Sequence, residues 1–98
     1  MPAVVDLRSL PGGDLVAAGL RDLGLGVASV EAYLVSIGAP RLRLLGIEVT
    51  DPLPDPEVVL YRLLEAEHGD AAHSRYNALV RRLVSFERAA AATGAGRA

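Results

Sequence analysis

The sequence predicts an all-α protein: a small bundle of four helices, one of them very short, packed on a long C-terminal helix, with a proline-rich strap before the penultimate helix. Three observations carry this. Residues 71–92 contain no Gly or Pro and set Ala72, Tyr76, Leu79, Val80, Leu83, Phe86 and Ala90 at helical steps, which excludes strand alternation. Upstream, Gly and Pro punctuate the chain into short apolar segments that open on Asp or Ser. Half of the residues are apolar but only four are aromatic, so the core is Leu, Val and Ala, which lets helix axes approach closely.

Ninety-eight residues make one domain. Residues 1–10 read as an N-terminal arm, either extended and packed by Val5 and Leu7 or disordered. Pro11-Gly12-Gly13 is a turn, and Asp14 is placed to cap a first helix that carries Leu15, Val16, Gly19, Leu20 and Leu23 on one face. Gly24 is its expected left-handed stop. Ser29 caps a second helix, with Glu31 in the first turn and Val30, Tyr33, Leu34 and Ile37 as its stripe. Pro40 opens a short third helix over 40–45; Leu42, Leu45 and Ile47 point inward and Gly46 stops it.

Pro52, Pro54 and Pro56 forbid helix over 48–56, so this segment is the strap, held down by Val49 and Leu53. Asp55-Pro56-Glu57 starts the fourth helix, which buries Leu60, Leu63 and Leu64 with Val59 or Tyr61 beside them. Gly69 ends it, and Asp70 is placed to cap the long helix. Residues 93–98 read as a disordered tail.

The absence of Cys excludes disulfides, zinc–thiolate sites and thiol catalysis. No apolar run reaches the roughly 20 residues that span a bilayer, and no basic segment followed by an apolar one opens the chain. The expected compartment is the cytoplasm. All ten basic residues besides His are Arg, a usage that fits a GC-rich bacterial genome and is poor evidence for phosphate binding. Charge is unevenly spread. Residues 1–70 hold five Arg against eleven acids, a formal −6, whereas 71–98 hold five Arg against Glu87 alone, a formal +4.

Three clusters could carry chemistry. Glu65, Glu67, His68, Asp70 and His73 include metal-ligating types, with His68, Asp70 and His73 the weak candidates for a metal. The Gly69–Asp70 break separates the two His, and no ligand signature spans them; the favoured reading is a capped, exposed helix corner with no metal or other cofactor. Glu87 falls beside the apolar stripe, where burial would raise its pKa and suit a general acid. No nucleophile or second acid is placed with it, so a pairing with Arg41, Arg43 or Arg62 of a neighbouring helix is preferred. Arg75, Arg81, Arg82 and Arg88 could track a phosphate backbone, and the face they share with Ser74, Asn77 and Ser85 would suit a major groove. The acidic body, the scarcity of free aromatics and the lack of a helix-turn-helix junction weigh against that, and pairing with the acidic strap and fourth helix, within the chain or across a dimer, is favoured. The glycines of 24–29 follow no strand, and no Ser has a His–Asp partner in its sequence context, so neither a nucleotide loop nor a nucleophile is assigned.

These features predict a non-enzymatic helical protein that acts by protein–protein contact as an adaptor, regulator or subunit. It is expected to form a two-fold homodimer through Val80, Val84 and Phe86, with Arg75, Arg81, Arg82, Phe86, Glu87 and Arg88 as interaction residues. The alternatives are a nucleic-acid-linked regulator of the antitoxin type, using the Arg-rich helix, and a small metal-dependent or acid/base enzyme.

Overall fold

The computed structural model of the chain describes residues 6–93. Every regular element among them is helical: α1 (Gly13–Gly24), α2 (Val30–Ile37), α3 (Ala39–Leu44), α4 (Pro56–His68) and α5 (Ala72–Thr93). Two 3-10 turns, Leu7–Ser9 and Gly69–Ala71, precede α1 and α5. The expected all-α bundle on a long C-terminal helix is the observed architecture, with α5 packed along α1, α2 and α4.

The expected arm lies partly outside the described residues, Val5 included. Its described part is a 3-10 turn and not extended chain. The Asp6 carboxylate accepts the Arg8 N–H at 3.0 Å, and the Ser9 hydroxyl donates to the Asp6 carbonyl at 2.6 Å. Leu7 and Leu10 tuck half-buried against the core. The expected tail is also outside the described residues except for Thr93, which is helical and donates its hydroxyl to the Ala89 carbonyl at 3.0 Å.

Asp14 does not cap α1. Gly12 takes the cap position at φ 72°, where an L side chain would be strained. A Cβ there would also collide with the Arg82 carbonyl oxygen, so this glycine lets the start of α1 meet the α5 backbone. Gly24 is not left-handed either. It is the last residue of α1, and the positive φ falls at Gly26.

Ser29 does cap α2: its hydroxyl accepts the Ala32 N–H at 3.0 Å and donates to Asp22 of α1 at 2.6 Å. The second helix is more enclosed than one stripe implies. Ala32, Leu34, Val35 and Ser36 are all buried, because α2 touches each of the other four helices. Such a helix needs no wide polar face.

From α3 the chain turns at Gly46, φ 85°, and buries Leu42, Leu45, Ile47 and Val49 in succession. The strap that follows is tied down at two points. Arg43 Nη2 donates to the Val49 carbonyl at 2.7 Å, and the Leu53 N–H donates to the Ser36 hydroxyl at 3.0 Å. Asp55 occupies the cap position of α4 but with φ 47° and no side-chain bond to the helix. Within α4, Leu60 and Leu64 are buried while Leu63 is exposed, because α2 and α5 cover only the Leu60–Leu64 side. Gly69 ends α4 at φ 56°. Asp70 is no cap: it lies inside the Gly69–Ala71 turn, and its carboxylate accepts no hydrogen bond from the described residues.

One cluster of buried side chains joins these parts, with Phe86, Leu34, Leu42 and Leu60 its largest fully enclosed members. The α5 stripe supplies Ala72, Leu83, Phe86 and Ala90 to it.

Candidate functional site

Helix α5 carries four cations, Arg75, Arg81, Arg82 and Arg88. At about 100° per residue, Arg81 and Arg88 fall on the face opposite the buried stripe, and Arg75 and Arg82 lie at the border of that stripe. Arg82 pairs with Asp14 of α1 at 2.8 Å. Both side chains are exposed, so the pair contributes about 0–1 kcal/mol. Arg75, Arg81 and Arg88 have no ion-pair partner among the described residues. Of the two settings expected for pairing the basic helix with the strap and fourth helix, within the chain or across a dimer, the first is not formed among the described residues. The carboxylates of Glu57 and Glu65 on α4 are likewise without an ion-pair partner among the described residues.

Between α4 and the first half of α5 runs an open groove of about 370 Å³, lined by Glu57, Val58, Tyr61, Arg62, Glu65 and Tyr76. The two tyrosine rings meet with centroids 5.7 Å apart at 57°, a tilted arrangement that the ring quadrupoles favour. Burial raises the Tyr76 pKa above that of a free phenol, and the Glu57 carboxylate adds to the rise. Val58 is 51% exposed on the rim. The sequence reading missed this groove, although a signal exists: Tyr61 and Tyr76 are nearly equidistant from the Gly69 turn, so a helical hairpin must set them side by side.

A second, smaller cavity of about 240 Å³ lies at the other end of α5, lined by Arg41, Leu45, Val84, Glu87, Arg88 and Ala91. Glu87 faces the junction of α2 and α3: a Cβ at Gly38 would come within 3.3 Å of its Oε2. Partial burial raises the Glu87 pKa, and the Arg41 guanidinium opposes the rise. Glu87 forms no ion pair with Arg41, Arg43 or Arg62, and Arg43 is instead bonded to the strap.

Phe86, expected on an interaction face, is fully enclosed in the core. Coverage by the other helices is complete at its level, so the expected Val80–Val84–Phe86 patch reduces to two half-buried valines. The His68–Asp70–His73 corner is not drawn together. His68 stands 3.8 Å from Glu67, whereas His73 meets Asn77 at 3.2 Å. Among the described residues no group of three or more His, Asp or Glu side chains is placed to hold a metal ion, and no helix is long and apolar enough to cross a membrane. Comparison of the chain with protein-family models, with curated proteins and with solved structures finds no match.

Proposed function

We propose that this chain works by protein–protein contact in the cytoplasm, as a homodimeric helical subunit, adaptor or regulator, and not as a catalyst. The observation that supports this reading is that side chains of opposite charge on two neighbouring helices have no ion-pair partner among the described residues: Arg81 and Arg88 on α5, and Glu57 and Glu65 on α4. Such complementary charges steer and orient association. A chain of this size also gains from it, because a small domain buries a limited share of its surface and dimerisation stabilises the folded form by mass action.

The test is the solution mass of the full chain at micromolar concentration, measured by light scattering in low and in high salt. The reading expects a dimer mass in low salt that declines as salt screens the charges. A monomer mass under both conditions would overturn self-association.

A further inference from the structure

The α4–α5 hairpin presents the groove and both sets of charges in a fixed register. The Gly69–Ala71 turn joins the two helices antiparallel, and the Tyr61–Tyr76 contact sets which residues share a height. Moving four residues back from Tyr61 reaches Glu57, and five forward from Tyr76 reaches Arg81. At about 1.5 Å per residue both steps run roughly 6–8 Å in the same direction along the hairpin. Glu57 and Arg81 thus stand at one level on neighbouring helices. Within the chain they form no ion pair.

A two-fold axis parallel to the helices keeps every residue at its own height. It also lays α5 of one copy over α4 of the other, so all neighbouring helices run antiparallel, as bundle packing favours. We propose that two copies of this chain dock by their α4–α5 faces about such an axis, with the partner's Arg81 meeting Glu57 and the half-exposed Val58 covered over the Tyr61–Tyr76 groove. This rests on the self-association reading above and names its surface. The occupant is a second copy because the groove lining sets two acids, Glu57 and Glu65, against Arg62 alone, and the chain itself carries a cation, Arg81, at the matching height on the solvent face of α5. The arrangement is isologous: each subunit gives the same acid and the same cation, so both pairings form at once.

The experiment is a charge swap on the full chain, read by sedimentation across a concentration series in low salt. Arg81→Glu and Glu57→Arg should each weaken the dimer by ten-fold or more, since each sets like charges opposite one another, and the double variant should regain most of the wild-type affinity. Both positions are exposed, and circular dichroism checks that each variant folds. Val58→Arg provides a charge-independent arm: it should disrupt the dimer in low and high salt alike. A wild-type dimer whose affinity none of these variants changes would overturn this face while leaving self-association intact. Weakening by both single swaps without recovery in the double would overturn the Arg81–Glu57 register. A wild-type monomer would overturn surface and self-association together, and Arg81-dependent, salt-sensitive binding of that monomer to duplex DNA would assign Arg81 to phosphate instead.

Discussion

The Ser36 hydroxyl receives the Leu53 N–H at 3.0 Å and so joins the strap to the most enclosed helix of the fold. It donates its own proton to the Ala32 carbonyl at 2.7 Å, so a buried polar side chain is satisfied on both sides. Ser36→Ala should cost about 1–3 kcal/mol, because it strands the Leu53 amide in a partly buried place. A lower urea midpoint at unchanged m-value, with faster hydrogen exchange at Leu53, is the expected result. An unchanged midpoint would mean that water replaces the hydroxyl.

Gly19 and Gly24 lie on the same helix and should respond oppositely to the same change. A Cβ at Gly19 would overlap the Glu31 carbonyl oxygen and stand 2.7 Å from Val35 Cγ1, so α1 and α2 meet there with no room for a methyl group. At Gly24 a Cβ would meet nothing within 4 Å. Gly19→Ala should destabilise by about 1–3 kcal/mol through overpacking, and Gly24→Ala should stabilise by about 0.4–1 kcal/mol by restricting the unfolded chain. Thermal melts of the two variants decide it; shifts of the same sign would contradict the α1–α2 contact.

The same contrast explains what could be read from the sequence. Gly46 and Gly69 are the expected stops of their helices, and both act so with a positive φ, whereas the left-handed stop expected at Gly24 falls at Gly26. The apolar spacing of α5 fixed its length to within a residue at each end. Acids near helix starts have several uses: Glu31 and Glu57 lie in the first turns of α2 and α4 as expected, but the reading of Asp side chains as caps failed. Asp14, Asp55 and Asp70 all precede or open helices, yet none caps by its side chain, and the Asp14 carboxylate is drawn to Arg82, 68 positions away. Periodicity placed Phe86 on the apolar stripe of α5 but could not say how far that stripe is covered, which depends on how α1, α2 and α4 assemble. The groove around Tyr61 and Tyr76 was hidden for the same reason: each helix supplies only one wall.

Ser29 and Asp70 separate a working cap from a residue that only resembles one. Ser29 accepts the Ala32 N–H and also holds Asp22, tying α2 to α1. Its replacement by Ala should cost about 1–2 kcal/mol. Asp70 is exposed and bonds to nothing described, so Asp70→Ala should stay within about 0.5 kcal/mol of the parent. Urea titrations of both variants measure the difference. A loss at Asp70 equal to that at Ser29 would show that its carboxylate does cap α5 in solution.

Glu87 should make stability fall as pH rises. Its carboxyl is half-buried among Leu45, Val84 and Ala91, close over Gly38, and burial raises its pKa in the folded chain despite Arg41 nearby. The unfolded chain lacks that environment and keeps the ordinary glutamate pKa. In the interval between the two values the folded state binds the proton more fully than the unfolded state, so stability declines with increasing pH there. Glu87's favourable contribution is complete below the ordinary glutamate pKa and is gone above the raised one. Glu87→Gln stays neutral throughout and should escape this decline. Urea midpoints of parent and variant, taken from acid to neutral pH at a concentration where the mass is constant, should therefore diverge in favour of the variant as pH rises through the window. Removing the opposing cation with Arg41→Gln should deepen the parent's decline and extend it to higher pH. A gap between parent and Glu87→Gln that does not change with pH would show that solvent reaches the carboxylate freely at the α2–α3 junction.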